Sequence, residues 1–142
     1  MSKQIKETIL YNGIKGKLEI IVRENETIDI VLKDIKNFEL GTLYGIIHVN
    51  EKTKEKYLYI QDIHISKSNI NKGYGSILLN SLLDDIYHKN ESLKYIYGTL
   101  SKIDMDSHKE RLVRFYEKNG YTVNIYDKPK CEIILGEIIL RP

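Results

Sequence analysis

One stretch constrains this chain more than any other: "YIQDIHISKSNINKGYGSILLNSLLDDI", residues 59–86, runs a strand-like segment into two glycines and then into an apolar helical stripe. Glycine costs roughly 1 kcal/mol at an exposed helix-interior position, so Gly73 and Gly75 give up stability at the mouth of a helix in exchange for something else. A helix start carries unpaired backbone N–H groups and a partial positive charge. Where glycines precede it, those amides can close around a phosphate. Two familiar phosphate loops do not fit. The Walker loop ends in Gly-Lys-Ser/Thr, whereas Gly75 is followed by Ser76 and Ile77. The dinucleotide fingerprint needs a third glycine and an acid after the next strand, and "KYIYGTL" ends without one. A plain strand-to-helix turn is the structural alternative for an isolated pair of glycines.

The residues before this stretch read as strands. "KLEIIVRE" (17–24) and "TIDIVLKDI" (27–35) are rich in β-branched residues and join across "ENE"; "GTLYGIIHV" (41–49) and "KYLYIQDIHI" (56–65) join across a charged loop. In the last of these, alternation predicts Tyr59, Ile63 and Ile65 on one face and Leu58 and Ile60 on the other. Apolar residues on both faces imply a strand inside a sheet covered on both sides. After the glycines, Leu78, Leu79, Leu82, Leu83 and Ile86 fall at helical spacing, with Asn90 as a stop. "LKYIYGTL" (93–100) is a strand. "SHKERLVRFYEKNG" is a helix with Ser107 and Glu110 in capping-box register and Gly120 past its end. "YTVNIY" and "CEIILGEIIL" close as a hairpin across "DKPK". The expected order is four strands, helix, strand, helix, two strands, a single α/β domain over residues 1–142 with a mixed sheet.

Composition excludes several classes. The 142 residues carry 22 basic and 20 acidic side chains, a net charge of +2 without the clustered basic face that nucleic acid calls for. Cys131 is the lone cysteine, which rules out an intrachain disulfide and suits a reducing cytoplasm; it reads as buried filler. The first residues lack the apolar run of a signal peptide, and no run reaches membrane-spanning length. His48, His64, His88 and His108 show no ligand spacing, and Asp84, Asp85, Asp104 and Asp106 read as helix-surface and loop carboxylates, so no metal site is expected.

The stretch from Tyr59 to Ile86 resembles the acetyl-CoA-binding segment of the GNAT superfamily of N-acetyltransferases. Ile65 takes the apolar strand-end position of that motif, Ile70 its Gln/Arg position, and Gly73 and Gly75 fall in register. "RFYEKNGY", Arg114 to Tyr121, resembles the second signature of the family at typical spacing, so that the likeness covers roughly residues 41 to 126. Ile70 and Asn71 depart from the usual residues, Lys109 stands where many members carry an Asn facing the cofactor, and Arg111 replaces a common small residue. The family's two helices after its first strand are reduced or absent here, since residues 24–40 read as strand.

The resemblance implies a GNAT-like twisted central sheet flanked by helices, and acetyl-CoA as co-substrate. The amides of Asn71, Lys72, Gly73, Tyr74, Gly75 and Ser76 would hold its pyrophosphate, with Lys67 and Lys72 near the outer phosphates. Its pantetheine arm would lie in a gap between the strand ending at Ile65 and the one starting near Leu93, paired with the backbone of Ile63 and Ile65. Lys109 would face the cofactor. Tyr116 matches the position that protonates the leaving thiolate. Gln61 and Asp62 stand in the place of an acidic pair; Asp62 could act as a base and Gln61 could orient water. His64, on the same strand, reads as either a structural residue or a participant. The implied reaction is direct acetyl transfer to a primary amine of a small molecule or a peptide. A non-catalytic acyl-CoA-binding domain of the same fold is the alternative, and a structural interaction domain is a third reading.

Overall fold

The computed structural model describes residues 1–127 and 133–142, and residues 102–107 by their backbone alone. Cys131 and the side chains of Asp104, Asp106 and Ser107 lie outside that description. Eight strands form one mixed sheet: β1 (Ser2–Ile9), β2 (Lys15–Val22), β3 (Thr27–Asp34), β4 (Glu39–Val49), β5 (Lys56–Ile65), β6 (Leu93–Ser101), β7 (Thr122–Ile125) and β8 (Ile134–Leu140), in the order β1-β2-β3-β4-β5-β6-β8-β7. Every neighbouring pair is antiparallel except β5 and β6. Helix α1 (Tyr74–Ser81) continues into a wider π turn at Leu82–Tyr87 and connects β5 to β6; α2 (Lys102–Lys118) connects β6 to β7.

The predicted strand replacing the usual helical pair is present as β3, whose Ile28, Ile30 and Leu32 are fully buried. β1 is an addition to the predicted order. Its apolar residues Ile5 and Ile9 are exposed, at 57% and 60%, so the sequence shows no inward apolar alternation there. Lysines on such an edge strand discourage pairing with another chain. One of them anchors it: Lys6 Nζ reaches both carboxylate oxygens of the largely buried Asp85, at 3.0 and 3.1 Å, and Ser81 Oγ donates to Asp85 at 2.8 Å.

Alternation along β5 is broken by a bulge. Gly45 pairs with Ile60 and Tyr44 with Asp62, which leaves Gln61 as the extra residue. The expected division of β5 is therefore corrected: Ile63 and Ile65 turn onto the face of Leu58 and Ile60, and Tyr59 is left on the opposite face with Asp62 and His64. Space confirms this, because a Cβ on Gly41 would meet Ile65 and Leu78 of α1 together.

Both helices pack on that same face. α1 covers β3, β4 and β5, and α2 covers β6, β7 and β8. The helices touch where Asn119 donates to Ser76 Oγ at 3.1 Å. The core lies between them and the sheet, built of Leu18, Ile30, Leu43, Leu58, Leu78, Leu82, Ile96 and Ile138 among others. Among the described residues no helix covers the other face, which corrects the expectation of a sheet buried on both sides. Tyrosines occupy it instead: Tyr57 and Tyr59 on β5 stand beside Tyr95 and Tyr97 on β6. That face is half-buried because the rings cover one another, as in the stacked pair of Tyr57 and Tyr95 at 4.9 Å.

Candidate functional site

Two elements meet at the site, and the sheet opens between them. β5 and β6 pair from Lys56 to Ile60 and stop at the partners Ile60 and Gly98. Beyond that point Gln61–Ile65 has no partner on its β6 side, while β6 continues against β8. The gap expected between these strands is thus present. Its unpaired backbone N–H and C=O groups have the spacing of a sheet edge that accepts an extended guest.

The loop after β5 is short and twisted. A 3₁₀ turn at Lys67–Asn69 leads to Asn71 and Gly73, both with positive φ, at 66° and 78°. Asn tolerates this region and Gly adopts it freely. Gly73 is the N-cap of α1, and no side chain caps the helix there. The first amides of α1 are therefore left to another partner. A Cβ on Gly73 would meet nothing within 4 Å, so its requirement is conformational. Gly75 has a different reason. A Cβ there would stand 2.8 Å from two atoms of the Phe115 ring, so this glycine lets α2 approach α1. The structure thus ties Gly73 to its backbone conformation and Gly75 to the approach of α2.

A cavity of about 660 Å³ lies between this loop and α2. On one side are Ile63, His64 and Ile65 of β5 and the loop residues Asn71, Gly73, Tyr74, Gly75 and Ser76. On the other, α2 contributes His108, Arg111, Arg114 and Lys118, with Leu112 and Phe115 between them. The spacing of 111, 114/115 and 118 puts these residues on one helical stripe, with His108 at the break before it. Uncapped amides facing a row of cations make an anion-receiving wall and floor. Sequence reasoning singled out Lys109 on this helix, named Arg111 only as a departure from the family's residue and His108 only as lacking metal-ligand spacing, and did not weigh Arg114 or Lys118 as site residues. The helical run from Lys102 breaks at His108 (φ −143°, ψ 25°), one residue past the predicted cap at Ser107, so the helix read from the sequence is the segment after the break.

The remaining predicted residues take these places. Lys72 does not line the cavity; its Nζ sits 5.2 Å from the Tyr11 ring centroid and 3.4 Å from Asn69 Oδ1. Tyr74 is buried, its ring edge-on to Tyr11 at 6.2 Å, and burial pushes its hydroxyl pKa up. The β1–β2 turn thus buttresses the loop from outside. Lys109 lies with Glu110, Val113, Arg114 and Ile125 at a separate depression. Gln61 and Asp62 are exposed at the bulge. Tyr116 is 8% exposed, edge-on to Phe115 at 5.0 Å and to Tyr121 at 5.8 Å, behind the residues that line the cavity. Tyr121 beside it has a buried hydroxyl without a hydrogen-bond partner among the described residues, and burial raises its pKa strongly. Among the described residues no group of three or more His, Cys, Asp or Glu is gathered as for a metal ion, and no helix is long and apolar enough to cross a membrane.

Comparison with known proteins agrees with this geometry. No curated protein matches the sequence. Among solved structures, an acetyltransferase of the GNAT family from Streptococcus pneumoniae superposes with a TM-score of 0.62 at 15% identity, covering 84% of this chain and 69% of that one. Arabidopsis thaliana NAA60 in complex with acetyl-CoA gives a TM-score of 0.62 at 10% identity, covering 81% and 76%. Spermidine/spermine N-acetyltransferase SpeG from Vibrio cholerae, in complex with manganese ions, gives 0.55 at 17% identity, covering 84% and 67%. These likenesses show a shared fold. The sequence model of the acetyltransferase (GNAT) family matches residues 15–121, three quarters of the chain, and the protein therefore belongs to the GNAT acetyltransferase family.

Proposed function

We propose that this protein is an N-acetyltransferase that moves an acetyl group from acetyl-CoA directly to a primary amine of a small molecule or a peptide. One observation carries the reading: the amide- and cation-lined cavity opens onto the unpaired stretch Gln61–Ile65 of β5. A CoA thioester has the matching order of parts, with phosphates at one end and an amide-bearing arm leading to the thioester at the other. The amides of Asn71–Ser76 hold the pyrophosphate. Arg111, Arg114 and Lys118 face it from α2. The backbone of Ile63 and Ile65 pairs with the arm.

At the reacting end, three tasks remain: a neutral amine, donors for the developing oxyanion, and a proton for the thiolate. Tyr116 supplies the proton. Asp62, exposed past the bulge, accepts the ammonium proton through water that Gln61 orients. The domain spans residues 1–142 and works in the cytoplasm. A panel of primary amines, screened for acetyl-CoA-dependent thiol release, tests the reading. Release with at least one amine above the amine-free rate is expected. Tight acetyl-CoA binding without release under any amine would replace it with a non-catalytic acyl-CoA-binding domain.

A further inference from the structure

One aromatic ring outside the cavity touches the chain on both sides of the glycine that caps α1. Tyr11 stands in the turn between β1 and β2. Its ring lies edge-on to the buried Tyr74, the residue after Gly73, with centroids 6.2 Å apart and planes at 70°. The Nζ of Lys72, the residue before Gly73, sits 5.2 Å from the centroid of the same ring. Lys72 also reaches Asn69 Oδ1 at 3.4 Å, and Asn69 Nδ2 donates to Ser66 Oγ at 2.6 Å. These contacts tie Tyr11 to the loop from Ser66 to the first residue of α1.

The loop needs such a hold. Asn71 and Gly73 carry positive φ, a region that Asn enters at a cost and that leaves Gly free to move elsewhere. No side chain caps α1, so its first amides are not fixed from within the helix start. A loop that orders only when an anion arrives loses affinity to the entropy of ordering, and a loop held beforehand does not.

The ring is itself firmly mounted. Leu10 N–H donates to the Ile14 carbonyl at 2.8 Å and Gly13 N–H to the Leu10 carbonyl at 3.0 Å, which closes the turn. Leu10 is buried against Gly16, where a Cβ would come within 2.8 Å of its Cδ2. Farther along β1, Lys6 pairs with Asp85 in the π turn that continues α1. The first hairpin thus grips one helix at its first residue and again in its last turns. Tyr11 is nonetheless 61% exposed, so little of the core depends on its ring.

We propose that Tyr11 is a positioning residue for the CoA donor: its ring holds Lys72 and Tyr74 so that the amides around Gly73 are preset for the pyrophosphate. The proposal rests on the acetyl-transfer reading for the identity of the ligand. It deepens that reading by tying donor affinity to a hairpin outside the cavity.

Two measurements test it. Calorimetric titration of CoA should show Tyr11→Ala binding at least about threefold more weakly than the native protein, the scale of one exposed cation–π contact. Tyr11→Phe, which keeps the ring, should bind as the native protein does. Amide hydrogen exchange of the ligand-free proteins should be faster over residues 71–76 in Tyr11→Ala and native-like there in Tyr11→Phe, with β3 equally protected in all three. Equal CoA affinity in Tyr11→Ala, a loss that Tyr11→Phe does not restore, or loop exchange no faster than native overturns the proposal. Faster exchange in β3 as well overturns it too, by making Tyr11 a residue that stabilises the whole fold. No CoA binding by the native protein strikes the acetyl-transfer reading instead, and loop exchange then decides the hold of Tyr11 on the loop by itself.

Discussion

Tyr116 and Tyr121 stand side by side in the core, and their hydroxyls make opposite demands. The Tyr121 hydroxyl is buried with no partner among the described residues. A buried unmade hydrogen bond costs about 1–3 kcal/mol, so Tyr121→Phe should raise stability by about 1 kcal/mol, read as a shifted urea midpoint at constant slope. A loss of that size would mean the hydroxyl is satisfied in solution. Tyr116→Phe keeps the ring contacts with Phe115 and Tyr121 and removes the hydroxyl. General acids contribute about 10² to 10⁴ in rate, so kcat should fall within that range while acetyl-CoA affinity holds. Wild-type turnover would make Tyr116 a packing residue and leave the proton to water.

Among the elements, α1 and α2 fix the site by their closeness, and Gly75 permits it. In an ordinary helix, replacing Gly by Ala gains about 1 kcal/mol. Here the added Cβ meets the Phe115 ring at 2.8 Å, and overpacking costs about 1–3 kcal/mol. Gly75→Ala should therefore destabilise in a thermal or urea melt, and a gain in stability would show that Gly75 is not held by α2. The long apolar elements were legible in the sequence. β3, β5 and α1 carry Ile28, Leu58 and Leu78 at strand or helix periods that no turn interrupts. β1 was not, because its half of the hairpin pairs by backbone while Ile5 and Ile9 stay exposed. The bulge at Gln61 was not either. A bulge changes which face follows without requiring any residue type, so strict alternation sent Ile63 and Ile65 to the wrong side.

At the scale of the molecule, a sheet with both helices on one face divides the work between its faces. The helix side holds the loop, the cationic stripe of α2 and the cavity; the other side holds the tyrosines. The glycine loop and the second signature were enough to anticipate the fold. The far wall was missed because His108, Arg111, Arg114 and Lys118 reach the loop only through the packing of Phe115 on Gly75, a contact between residues 40 positions apart. Calorimetric titration of acetyl-CoA into the native protein and into Arg111→Ala/Arg114→Ala tests this arrangement most directly. Both arginines are exposed at the cavity, so their loss should leave the fold intact. The account predicts saturable binding at one site, weakened at least tenfold in the variant, about 1.4 kcal/mol or more; no binding by the native protein, or equal affinity in a folded variant, would contradict it.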